Sequence, residues 1–130
     1  MTTLPLLTAR IAPFGGLAGG APTTVSRDVI LLVDSGAAFT CIGSEVIFNL
    51  SLDPTGQAQV TLVSGPDSLN MYMADVGIFP NDGSGMRRHG IEVGTFLGQT
   101  HRYQGLLGRD LLAHYEFRMT ACRDFSLLPV

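Results

Sequence analysis

Apolar residues in this chain fall into short runs, each closed by glycine, proline or a small polar residue. In one, Val29-Ile30-Leu31-Leu32-Val33 runs straight into Asp34-Ser35-Gly36. An uninterrupted apolar run rich in branched residues predicts a strand buried on both faces. Gly36 then lets the backbone turn sharply and leaves main-chain N–H groups free to point at the Asp34 carboxylate. Before it, residues 4–11 predict a first strand ended by Pro13, and 14–25 a glycine-rich loop. After it, 39–42 return to an extended pattern, and Ser44 is placed to cap a short helical turn through Asn49, closed by Pro54 and Gly56.

Alternation over 57–63 and again over 69–78 predicts a β-hairpin, with Ser64, Gly65, Pro66, Asp67 and Ser68 as its connection. A turn at 81–85 follows, then Arg87 and Arg88 as a solvated charge pair, then a strand over 90–97. Leu111, Leu112 and Tyr115 fall at helical spacing behind Gly108 and predict a helix of about two turns. Alternation over 116–120 and 125–130 predicts a terminal hairpin.

With 130 residues, 45% hydrophobic and 15% charged, 16 glycines and 7 prolines, the composition suits one domain over 1–130 built of many short strands and tight turns. The fold class expected is all-β. The net charge of −3, with eight arginines scattered along the chain and no lysine, argues against a nucleic-acid or anionic-membrane surface. No stretch approaches the ~18 apolar residues of a membrane span, and the apolar start lacks a basic leading segment. A soluble, cytoplasmic chain is expected. Cys41 and Cys122 have neither metal nor disulfide-framework spacing and read as free thiols. His89, His101 and His114 are dispersed, so no metal site and no cofactor is expected.

Asp34 is the leading candidate for chemistry because a strand end holds it rigidly. The same Asp-Ser-Gly is also ordinary turn chemistry after a strand. Asp82-Gly83-Ser84 follows no apolar strand and reads as a turn. A Cys41 nucleophile would need a histidine partner, and a core thiol is the simpler reading.

Two segments together, Leu32-Val33-Asp34-Ser35-Gly36-Ala37 and Leu106-Leu107-Gly108-Arg109-Asp110-Leu111-Leu112, lie on either side of the predicted hairpin. In that order they resemble the active-site loop, flap and Gly-Arg segment of the retropepsin-like aspartic proteases. The resemblance implies an all-β, retropepsin-like half-barrel with one short helix, a flap hairpin and a C-terminal hairpin. It implies a ψ-shaped core in which Gly108 packs under the active-site loop and the following helix braces it. Asp34 becomes the catalytic residue and Ser35, Gly36 and Ala37 its loop. Ser64, Gly65, Pro66, Asp67 and Ser68 form the flap tip, and Leu106, Leu107, Gly108 and Arg109 the supporting segment.

An aspartic dyad takes two carboxylates, and the chain offers one Asp-Ser-Gly at a strand end, so the second must come from another copy. The expectation is a homodimeric endopeptidase acting on peptide or protein, with an acidic, bell-shaped pH profile. Three departures stand out. Ala38 occupies the place where retroviral members carry an acid that pairs with the counterpart of Arg109. The tip is less glycine-rich, and the terminal hairpin is longer than the single last strand of retroviral chains. The latter two look closer to bacterial retropepsins and to the protease-like domain of DNA-damage-inducible ubiquitin-shuttle proteins. A catalytically silent dimerisation or peptide-binding module of the same fold is the alternative, and an unrelated β-barrel the third class.

Overall fold

A computed structural model describes residues 4–19, 25–62, 64–98, 100–119 and 125–130. The strands are β1 (Leu6–Pro13), β2 (Arg27–Val33), β3 (Cys41–Gly43), β4 (Asp53–Leu62), β5 (Gly65–Ile78), β6 (Arg87–Phe96), β7 (Gly105–Leu107), β8 (Tyr115–Met119) and β9 (Phe125–Pro129). Among the described residues two short helices, α1 (Ser44–Asn49) and α2 (Arg109–Leu112), interrupt them.

Strands pair in the order β1-β2-β7-β3-β6-β5, and β5 pairs back onto β1, so six strands close a barrel with β4 added outside β5. Closure leaves one face of each strand pointing inward. Ile11, Val29, Leu31, Ile42, Val76, Val93 and Leu107 fill that interior, each at most 2% exposed. Each such side chain stabilises the fold by roughly 1.5–3 kcal/mol through burial. Val46 and Ile47 of α1 belong to the same core, as do Leu111, Tyr115 and Leu127.

Strand β7 lies between β2 and β3. It runs parallel to β2, with Leu32 opposite Leu106 and Val33 opposite Leu107, and antiparallel to β3, with Cys41 opposite Leu106. Because β2 and β3 are joined by residues 34–40 alone, that connection has to cross the end of β7. This is the ψ-shaped core the resemblance implied, and Asp34 opens the crossing.

Several local expectations change. Strand β2 is not buried on both faces: Val29 and Leu31 point inward, while Ile30 is 38% exposed, because a barrel strand has one face outside. Ser44 begins α1 rather than capping it, Gly43 being the cap residue with no side-chain hydrogen bond. Pro54 and Gly56 lie within β4, where the pairing shifts register. Helix α2 is a single turn, since Tyr115 enters β8 and the core instead of continuing the helix. Arg87 and Arg88 are not a loose pair: the Arg88 Nε donates at 2.7 Å to Asp75, a residue wholly buried on β5.

The hairpin between the two motifs is longer than predicted and its tip tighter. Gly65, Pro66, Asp67 and Ser68 already pair with Leu62, Thr61, Val60 and Gln59, so four of the five expected connection residues belong to β5. Gly65 takes φ +121°, which a residue with a side chain rarely adopts, so the reversal completes there. The Gln59 amide donates across the pair to the Ser68 hydroxyl at 3.1 Å. The terminal hairpin forms as β8 and β9. Part of the expected loop over 14–25 and Cys122 lie outside the described residues.

Candidate active site

Asp34 leaves the end of β2 with its N–H donated to the Leu107 carbonyl at 3.0 Å, so the parallel β2–β7 pairing runs up to the acid itself. The turn that Gly36 was expected to make is present. The Gly36 N–H donates to Asp34 Oδ1 at 2.9 Å, and the Ala37 N–H to the Asp34 carbonyl at 3.2 Å. Asp34 is half-buried and Ser35 exposed, so one face of the carboxylate is fixed by the backbone and the other stays open to solvent.

Gly108 lies directly beneath this loop. A Cβ there would stand 2.4 Å from the Phe39 carbonyl carbon and 2.6 Å from its oxygen, both backbone atoms that cannot step aside. Only glycine lets the crossing pass this close. One residue on, the Arg109 N–H donates to the Ala37 carbonyl at 2.9 Å, so α2 begins by holding the loop. Its side chain turns the same way: Nη1 lies 3.3 Å from the Ser35 carbonyl and 3.5 Å from that of Gly36. With Ala38 offering no carboxylate, the guanidinium takes backbone oxygens of the active-site loop as acceptors.

The loop forms one wall of a cleft of about 350 Å³ whose other wall is the β4–β5 hairpin. Gly36, Ala37, Ala38 and Phe39 face Gln59, Val60, Thr61 and Leu69 across it, with Cys41 and Leu106 between. A second hollow of about 190 Å³ shares Cys41, Leu69 and Leu106 and continues toward Phe96 and Leu97. The lining is mainly apolar, with the Gly36–Ala38 backbone at one end, and Gly36 is the residue whose N–H holds the Asp34 carboxylate. That composition suits an extended peptide carrying apolar side chains. A larger, open concavity of about 670 Å³ lies against α1 between Phe48, Leu52 and Tyr72, but it holds no acid or base. The smaller cleft is the one that adjoins Asp34, through Gly36.

Burial, then the nearby Asp110 and Asp34 carboxylates, push the Cys41 thiol up to about 11. A thiol held protonated is a poor nucleophile, and Cys41 serves as cleft floor and core. His89 and His114, far apart in sequence, meet with ring centroids 5.2 Å apart beside Tyr115, in a cluster separate from the cleft. Among the described residues no three histidine, cysteine or acidic side chains gather as a metal site.

Two residues around the loop escaped sequence reading. Thr40 is buried without residue and bonds to the Asp110 carboxylate, a partner 70 positions away. An acid directly after Gly108-Arg109 was the only local sign.

Neither the protein-family models nor the curated protein sequences give a match to this chain. Among solved structures, a retropepsin-like aspartic protease from Rickettsia conorii superposes with a TM-score of 0.52 at 19% identity, covering 98% of this chain and 96% of that one. At that identity the likeness speaks for architecture. Closed barrel, ψ-shaped crossing over Gly108 and terminal hairpin together make the fold of this chain retropepsin-like.

Proposed function

We propose that the chain is an aspartic endopeptidase that works as a homodimer, with Asp34 of each copy supplying one carboxylate of the dyad. The observation that carries this reading is the Asp34 carboxylate at the ψ-shaped crossing, held by the N–H of Gly36, a residue that lines the adjoining apolar cleft. Two such acids a few ångströms apart do not both ionise, so the pair shares a proton. The ionised member takes a proton from the water between them, the water attacks the peptide carbonyl, and the protonated member donates to the developing oxyanion. Ser35 and Ala37 hold the loop, and Gly36 orients carboxylate and substrate through its backbone.

In this reading the β4–β5 hairpin is a flap closing over bound peptide, with residues 64–68 at its tip. Beyond Met71 the hairpin has left the β6 ladder, so nothing in the barrel pairs with its outer half. The tip should be the first site nicked by an added protease, and a transition-state-like peptide should protect it.

The deciding experiment is hydrolysis of a peptide library across pH beside an Asp34→Asn control. Cleavage lost in the variant, with a bell-shaped dependence in the parent, supports the peptidase. A folded dimer that binds peptide without cleaving it identifies the silent module instead.

A further inference from the structure

Residues 34–40 are fastened to four consecutive residues of the opposite motif. The Asp34 N–H donates to the Leu107 carbonyl, and the Ala37 carbonyl accepts the Arg109 N–H. Thr40 engages Gly108 and Asp110 together. Its N–H donates to both Asp110 carboxylate oxygens at 3.0 and 3.1 Å, and its hydroxyl donates to Oδ1 at 2.8 Å. The same hydroxyl oxygen accepts the Gly108 N–H at 3.2 Å. The Thr40 carbonyl accepts the Gly94 N–H at 2.9 Å, and Asp110 Oδ1 also accepts the Leu111 N–H at 2.8 Å. Every polar group of a fully buried threonine is thus used, on β6, on α2 and on Gly108 just before α2.

We infer that Thr40 and Asp110 are positioning residues that set the Asp34 loop for catalysis, acting through Gly108 and the backbone rather than by touching substrate. This rests on the peptidase reading for its catalytic part. The geometry gives the reason. Asp34 and Thr40 are the two ends of one crossing, and Gly108 is the close-packed point beneath it. The Asp34 end is held by backbone, which side-chain replacement leaves in place. The Thr40 end is held by a hydroxyl that must donate and accept at once. Valine has the same shape and can do neither, so Asp110 Oδ1 loses one of its three donors, keeping the N–H groups of residues 40 and 111, and the buried Gly108 N–H loses the hydroxyl it donates to. Serine keeps both bonds.

The test compares Thr40→Val and Thr40→Ser in the full chain by two readouts. Amide hydrogen exchange without ligand should quicken about tenfold or more at Gly36, Ala37 and Gly108 in Thr40→Val, with Ile11 and Val76 of the barrel core unchanged. In Thr40→Ser it should stay within about threefold of the parent. Peptide hydrolysis, expressed per active site titrated with a tight-binding inhibitor, should show kcat about tenfold lower in Thr40→Val with KM nearly unchanged, and recovery in Thr40→Ser. Unaltered loop exchange in a folded Thr40→Val overturns the inference. So does loosening of core and loop together, which would make Thr40 a stability residue only.

Absence of Asp34-dependent hydrolysis in the parent sinks the peptidase reading, and the exchange data then decide the positioning role alone. If Thr40→Val does not fold, Asp110→Asn replaces it. That variant keeps Oδ1 but sets an amide NH2 against the Thr40 N–H, and loop exchange should quicken by about threefold. No change there overturns the inference equally.

Discussion

The Arg109 guanidinium reaches the Ser35 carbonyl at 3.3 Å, spanning from the first residue of α2 to the residue beside the candidate catalytic acid. The sequence left this arginine without a role, because Ala38 removes the acid that would have received it. The structure gives it a weaker and more local one, as a donor to the loop backbone.

Replacing Arg109 by alanine should therefore cost little stability, about 1 kcal/mol or less for an exposed hydrogen bond, but should lower hydrolysis several-fold by loosening the loop. Urea denaturation set beside kcat checks this. Ala38→Asp should draw the guanidinium away from Ser35 and change activity in the parent background but not in Arg109→Ala. Equal effects of Ala38→Asp in both backgrounds would show that Arg109 does not hold the loop.

Asp75 and Arg88 form a second long-range pair of a different kind. Asp75 is wholly buried, and its Oδ2 also accepts the Leu17 N–H at 2.9 Å. Burial pushes the Asp75 carboxyl up, but the Arg88 hydrogen bond, the Leu17 N–H and the Arg88 charge outweigh it and hold it below the ordinary value. The folded chain thus binds the proton less readily than the unfolded one. The pair's contribution is full above about pH 3.8 and is lost as pH falls through the lower folded value. Arg88→Met leaves an unpaired buried carboxylate and should lower the denaturation midpoint several times as far as Arg10→Met. The latter breaks the exposed Arg10–Asp28 pair, worth less than about 1 kcal/mol, and the stacking of the guanidinium on Phe79 at 5.3 Å. Equal shifts would refute the claim that Asp75 needs its partner.

What could be read in the sequence was local. Asp34 followed by Gly36, the glycine at 108 and the alternating hairpins each state their geometry within a few residues, and each is found in the fold. The partners of Asp75, Thr40 and His89 lie 13, 70 and 26 positions away, and nothing near any of them names its partner. Closure of β1 onto β5 is illegible for the same reason, and without it Ile30 cannot be told from Leu31 as an outward residue. Arg87-Arg88 reads as solvated in sequence because the acid that takes Arg88, Asp75, sits 13 positions earlier inside the apolar stretch from Met71 to Ile78.

The histidine cluster predicts a second pH dependence. His89 Nε2 is hydrogen-bonded to the Tyr115 hydroxyl, and burial, then His114 and Arg87, hold its imidazole below the ordinary value against the opposing pull of Asp110. With the folded value beneath the unfolded 6.5, the unfolded chain takes up the proton first. This contribution is therefore present above about pH 6.5 and lost as pH falls from there to the folded value. Stability should drop between neutral and mildly acidic pH, and His89→Gln should flatten that segment of the curve. An identical drop in the variant would assign it to other groups. The acid limb of any activity profile has to be corrected for this loss before it is ascribed to Asp34.

The dimer proposed for catalysis needs a surface, and the terminal hairpin supplies one. Strands β8 and β9 form a two-stranded sheet separate from the barrel. Leu127 sinks into the core at 2% exposure, but Phe117 and Met119 remain 39% and 52% exposed, with the Phe117 and Phe125 rings 5.6 Å apart. Such a ribbon keeps an open edge and an apolar face, which a second copy would cover by strand addition. Removing the chain beyond residue 120 would also remove Leu127 and unpack the barrel, so surface charges make the sharper test. Phe117→Glu combined with Met119→Lys should leave the monomer folded, raise the dimer dissociation constant by about a hundredfold or more, and reduce hydrolysis in proportion to the dimer lost. Sedimentation equilibrium over a range of concentrations, run beside activity, reads both. If the double variant stays dimeric, the interface lies elsewhere; if it is monomeric and fully active, one copy of Asp34 is enough and the shared-proton mechanism fails.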